Sequence, residues 1–133
     1  MIGLVVATHG KLGAELLASA EMIIGPVRNA APVAIIRENS MEEIRDAIVS
    51  AIAGFGKDGN GTIIMTDMFG GTPANVSMTF LEEGVVEVMT GVNLPMLLKF
   101  FNSQENLGLS ELAGILKSYG QQSIALASDY LQR

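Results

Sequence analysis

Cysteine and tryptophan are absent from this chain, and histidine occurs once. The lack of cysteine removes disulfides, thiolate nucleophiles and thiolate metal sites together, and it suits a reducing compartment. A metal site would need further imidazoles or a tight carboxylate cluster, so neither a metal nor a cofactor is expected. Basic side chains are scarce and unclustered: eight Lys and Arg stand against fourteen Asp and Glu, a net charge of −6. Nucleic acid is therefore not an expected ligand. No apolar run approaches the ~18 to 20 residues of a membrane span. The opening MIGLVVAT has no basic segment before it and reads as a strand, not a signal peptide. Together these absences lead to the expectation of a soluble, cytoplasmic chain.

What remains is a sequence of 133 residues that is 49% hydrophobic and free of low-complexity runs, enough for one domain over residues 1–133 with a real core. With two Tyr and five Phe that core is aliphatic, and the eight Met are read as fillers of irregular gaps. Short β-branched runs at 2–8, 33–37, 62–67 and 85–90 are nearly continuous in hydrophobicity, the mark of strands covered on both faces. Between them, Leu12, Leu16, Ala20 and Ile23 fit one helical face, and Ile44, Ile48, Ile52 and Phe55 fit another. Ser40 and Glu43 form a capping-box pattern, Thr72 before Pro73 reads as an N-cap and first helical position, and Asn93 reads as the cap of a helix through LPMLLKFF. Residues 54–61, GFGKDGNG, read as a surface turn. A helix is expected over 109–119, whereas 121–128 can either continue it or form another strand.

This order predicts an α/β fold: a doubly wound, mostly parallel open sheet of four parallel strands with helices on both faces, and room for an antiparallel C-terminal edge strand. In such sheets chemistry gathers at the carboxyl ends of the strands, where strand order reverses. His9 ends the first run and Asp67 the third, so the two side chains can meet if those strands are neighbours. FGGTP follows at once, and its glycines let backbone N–H groups of Gly70, Gly71 and Thr72 face an anion at a helix start. Each feature alone is weak: a single histidine is most often a satisfied half-buried side chain, a strand-end Asp often caps a loop, and GG occurs in many turns. Neither G-x-S-x-G nor a nucleotide-binding glycine pattern is present, which argues against a serine hydrolase and against direct ATP use. Taken together, a nucleophilic nitrogen, a carboxylate to hold its tautomer and an N–H-rich pocket suit transient phosphorylation of histidine.

The segments THG at 8–10, TDMFGGTPANVS at 66–77 and GVNLPMLL at 91–98 resemble the enzyme IIA component of the mannose-type phosphoenolpyruvate-dependent sugar phosphotransferase system, in an order that spans the chain. The resemblance implies a phosphotransferase in which His9 takes the phosphoryl group and Asp67 is its hydrogen-bonded carboxylate. Thr72 falls where some members carry serine. The implied donor is the histidine-containing phosphocarrier protein, with Met68 and Phe69 either part of its docking surface or folded into the core. A homodimer with an exchanged C-terminal strand is also implied. Many members continue into a IIB domain. This chain ends at Arg133, so a separate IIB component, or a regulatory target that reads the phosphorylation state, is expected to receive the signal. The membrane would be reached only indirectly, through the transporter complex. The competing readings are a non-catalytic small-anion sensor and the phosphotransfer subunit of a dihydroxyacetone kinase.

Overall fold

A computed structural model describes residues 1–55, 59–103 and 107–131. The glycine-rich turn expected over 54–61 falls partly outside them. The four apolar runs form β1 (Gly3–His9), β2 (Ala30–Ile35), β3 (Thr62–Thr66) and β4 (Val86–Met89). They are all parallel, in the order β2-β1-β3-β4. Helices α1 (Leu12–Ile24), α2 (Met41–Ala53), α3 (Thr72–Met78), α4 (Leu94–Phe101) and α5 (Leu109–Gln122) connect or follow the strands, and a short α6 (Ala127–Tyr130) comes last. Among the described residues no helix is long and apolar enough to cross a membrane.

The period-two alternation of the strands divides the core in two. Leu4, Val6, Ile63 and Met65 face Leu17 of α1, Leu97 and Phe100 of α4 and Leu112 and Leu116 of α5. Val5, Ala7 and Ile64 face Ile44 and Ile48 of α2 and Val76 of α3. Successive side chains on a strand point to opposite faces, which explains why these runs are apolar without interruption. The first crossover runs from β1 to β2 on one side of β1, and the next carries the chain past β1 to β3. Strand order therefore reverses between β1 and β3, and the crevice there opens at their carboxyl ends.

Two local expectations need correction, and the alternative left open for the C-terminal segment takes a definite form within one chain. The face of α1 that meets the sheet consists of Gly13, Leu17 and Ala20, with Leu16 half-buried, while Leu12 and Ile23 are exposed. Small residues win there because α1 lies close on β1: a β-carbon at Gly13 would come within 2.8 Å of the Val6 carbonyl oxygen. The N-cap of α3 is Gly71, and Thr72 is the first residue of the helix. The Gly71 carbonyl accepts the first helical hydrogen bond, from Asn75 N–H at 2.9 Å, and no side chain caps that end. Finally, α5 extends to Gln122, and 123–126 adds no fifth strand to the described sheet. A strand exists only as part of a hydrogen-bonded ladder, and within a single chain this segment joins none.

The remaining caps follow the sequence. Ser40 and Glu43 close a reciprocal capping box on α2. Asn93 Oδ1 accepts from Met96 N–H at 3.0 Å to cap α4, and its Nδ2 donates to the Gly120 carbonyl of α5 at 3.1 Å. One side chain thus ties the start of α4 to the end of α5.

Candidate active site

His9 is the last residue of β1. Its place is fixed from both neighbouring strands. On the β2 side, Gly10 prolongs the pairing by donating to the Ile35 carbonyl at 2.9 Å, then turns away with φ of +57°, a conformation that favours glycine. On the β3 side, Asp67 follows the strand directly, and its Oδ2 accepts the backbone N–H of His9 at 3.1 Å. The same Oδ2 lies 2.7 Å from His9 Nδ1. The second carboxylate oxygen, Oδ1, accepts from Met68 N–H at 3.1 Å. Asp67 is held by both oxygens and is only 13% exposed, whereas the His9 side chain is 52% exposed.

This geometry sets the electrostatics. Burial pushes the Asp67 carboxyl up, but the hydrogen bonds from the His9 ring and backbone and the proximity of the imidazole outweigh it and hold the group below its ordinary value of 3.8. An ionised carboxylate has no proton to donate, so the hydrogen of the 2.7 Å contact sits on Nδ1. Neutral imidazole then keeps its lone pair on Nε2. The Cε1–Nε2 edge of the ring rests against the loop before α3: a β-carbon at Gly71 would lie 2.9 Å from His9 Cε1 and 3.4 Å from Nε2. Gly70 has φ of +88°, which turns the chain into the N-cap of α3. The Cε1–Nε2 edge therefore lies beside the N-cap of that helix, and the exposed Thr72 lines the same cleft as His9.

The loop between β2 and α2 contributes residues that sequence reasoning had missed. Ile36, Arg37, Asn39 and Met41 line an open cleft of about 640 Å³ with His9 and Thr72. Asn39 Oδ1 shapes the loop by accepting Ile36 N–H at 2.8 Å. The available signal was positional, since this loop leaves the carboxyl end of a strand beside the reversal point. Met68 and Phe69 are 55% and 73% exposed, so they are not folded into the core. Ile36 and Met41 give the cleft an apolar rim, and Met68 Cγ lies 3.5 Å from the place a β-carbon of Gly71 would take. A second cleft, of about 600 Å³, lies between β4 and α5 along Glu87, Met89, Lys117 and Ile124. It is not lined by His9, which lines the first. Among the described residues no group of three or more His, Asp or Glu is arranged to hold a metal ion.

A strand-end histidine oriented by a carboxylate from the next strand is the arrangement of a nitrogen nucleophile. Residues 3–116 match the family EIIA-man, described as the PTS system fructose IIA component. The chain belongs to this family. It is 29% identical over 134 aligned positions to the fructose-specific EIIA component of Bacillus subtilis, covering 100% of this chain and 91% of that protein. It is 33% identical over 114 residues to the sorbose-specific EIIA component of Lacticaseibacillus casei, covering 85% and 81%. Its fold superimposes on the crystal structure of a phosphotransferase system EIIA component from Streptococcus agalactiae with a TM-score of 0.87 and 25% identity, covering 97% and 99% of the two chains. IIA components of the sugar phosphotransferase system act in phosphotransfer, passing phosphate between a phosphocarrier and IIB partners.

Proposed function

We propose that this EIIA-man chain acts as one phosphotransfer domain that accepts a phosphoryl group on Nε2 of His9 from the histidine-containing phosphocarrier protein. It then passes the group to a separate IIB component or reports its phosphorylation state to a regulatory target. The observation that carries this reading is the 2.7 Å contact between His9 Nδ1 and Asp67 Oδ2, which leaves Nε2 as the free nucleophile in an open cleft. In the transfer step the Nε2–P bond forms as the donor's N–P bond breaks, and the Nδ1 proton stays where it is. The ring gains positive charge, which the Asp67 carboxylate balances, as a triad carboxylate does for its imidazolium.

The same carboxylate limits how long the group remains. Two unit charges ~6 Å apart at an effective dielectric of ~20 repel by roughly 3 kcal/mol. Backbone N–H groups of Gly70, Gly71 and Thr72 oppose that repulsion, and a helix N-terminus returns about 0.3–2 kcal/mol. Opposed contributions of similar size suit reversible transfer. Met68 and Phe69, exposed in the loop that follows Asp67, supply apolar surface for docking of the phosphocarrier.

The chain acts as a homodimer in the cytoplasm in this reading. Support for the dimer comes from the outer edge of β4, whose pairing among the described residues is a single bridge between Val86 and Glu82, from exposed Ile124 in the cleft beside β4, and from exposed Leu126 and Tyr130 that follow it in sequence. The test of function is incubation with phosphoenolpyruvate, enzyme I and the phosphocarrier protein. An acid-labile mass gain of one phosphate is expected in the wild type and none in His9→Ala. Reversible anion binding without covalent gain would replace the carrier reading with that of a sensor.

A further inference from the structure

Two adjacent glycines precede α3, and they are glycine for different reasons. Gly70 needs its freedom of backbone, with φ of +88° and nothing within 4 Å of the place a β-carbon would take. Gly71 does not: its φ of −85° and ψ of 168° are extended backbone open to any residue. What excludes a side chain at Gly71 is the catalytic ring itself, whose Cε1 would lie 2.9 Å from the added carbon, with Nε2 at 3.4 Å and Met68 Cγ at 3.5 Å. We propose that Gly71 is a positioning residue for His9: the missing side chain forms a seat for the Cε1–Nε2 edge of the imidazole and holds the ring against Asp67.

Filling that seat would force the ring to move. A carbon contact under 3 Å is well inside the ordinary van der Waals separation of about 3.5–4.0 Å, so something has to move. The backbone of Gly71 is committed as the α3 N-cap, and its carbonyl accepts from Asn75 N–H at 2.9 Å. The backbone of His9 is committed on both sides, to Asp67 Oδ2 through its own N–H and to Ile35 through that of Gly10. The imidazole is 52% exposed and is the one mobile party. Displacement away from Gly71 turns the ring about its side-chain torsions and misaligns the Nδ1–Oδ2 hydrogen bond, which alone selects the tautomer with Nε2 unprotonated. Gly71 thus acts on the nucleophile through the ring's orientation, apart from any hydrogen bond its N–H makes to phosphate. This inference rests on the proposed role of His9 as phosphate acceptor.

The single histidine makes the test direct, because ¹⁵N-histidine labelling gives the spectrum of one imidazole. In the wild type, a strong through-space transfer is expected between an α-proton of Gly71 and Hε1 of His9, and the nitrogen shifts should report one neutral tautomer with its proton on Nδ1. In Gly71→Ala the backbone geometry is allowed, so the unfolding midpoint should stay close to wild type. The nitrogen shifts should move toward a mixture of tautomers, and phosphate acceptance should fall on the order of 10- to 100-fold, the scale of a sub-ångström to ångström misplacement. A folded Gly71→Ala variant with the wild-type nitrogen spectrum and rate would overturn the proposal. So would absence of the Gly71–His9 transfer in the wild type, a measurement that does not depend on the variant folding. If the contact and the tautomer change are observed but the wild-type protein accepts no phosphate, the carrier reading fails while the seat itself stands.

Discussion

The crevice between β1 and β3 and the outer edge of β4 belong to the same sheet, yet they differ in completeness. At the crevice the polar groups that orient His9 have their partners within one chain: Asp67 uses both oxygens, and the backbone around His9 is bonded to β2 and to Asp67. At β4 the sheet ends, with Val86 bridged only to Glu82 and the Val88 N–H bonded to the Glu87 side chain, and the C-terminal segment exposes Ile124, Leu126 and Tyr130. The difference teaches that the His9–Asp67 pair is built from the topology of a single chain, while the proposed assembly rests on the far edge of the sheet. Catalytic and assembly defects should therefore be separable.

The sharpest way to break this separation is to damage each region in turn. His9→Ala should abolish phosphate acceptance completely, since no second histidine exists, and should leave unfolding nearly unchanged because the side chain is half exposed. Removal of everything after Gln122 should do the reverse, with light scattering reporting a monomer that still accepts phosphate. A truncated chain that loses acceptance in step with its assembly would show that the crevice depends on the β4 edge after all.

Asp67→Asn sharpens the chemical half. An amide can offer the ring either an acceptor or a donor, so the tautomer is no longer fixed, and acceptance should slow by roughly 10²- to 10⁴-fold. Any phosphohistidine that forms should be longer lived, because the opposing negative charge is gone. Rate and lifetime, followed at one pH by quenched-flow and decay of the labelled protein, should move in opposite directions.

Smaller effects lie beneath the site. The Thr8 hydroxyl is fully buried and accepts Gly13 N–H at 2.8 Å, fastening the start of α1 to β1 beside His9. Thr8→Val keeps the shape but orphans that N–H, at a cost of about 1–3 kcal/mol in urea unfolding. The smallest effect is the acid limb of stability. The folded-state pKa of Asp67 is lowered, so its contribution is fully present above the unfolded value of 3.8 and is lost as pH falls through the folded one. The stability difference between wild type and Asp67→Asn should be flat near neutrality and shrink below about pH 4.

Much of this architecture was legible in the residues themselves. The four strands announced themselves because burial on both faces leaves no polar alternation, and the meeting of His9 with Asp67 follows once β1 and β3 are neighbours. The buried face of α1 was misread because hydrophobic patterning counts large side chains such as Leu12 and Ile23, whereas a helix lying close on a strand selects small ones such as Gly13 and Ala20. Thr72 looked like a cap because its hydroxyl is a common one, but the extended backbone of Gly71 took that position first. The role proposed for Gly71 is hidden for a related reason: a sequence displays a glycine, not whether backbone or neighbour demands it. Residues 121–128 stayed ambiguous because strand pairing depends on a partner edge that local pattern does not encode.

The central claim is that Asp67 holds the proton on Nδ1 and thereby aims Nε2 at the phosphoryl donor. It is tested most directly by identifying which ring nitrogen carries phosphate, through ³¹P–¹⁵N coupling in the ¹⁵N-histidine-labelled, phosphorylated protein. The account predicts a single species phosphorylated on Nε2 of His9. Phosphate on Nδ1 would contradict it, because that nitrogen is the one occupied by the carboxylate at 2.7 Å.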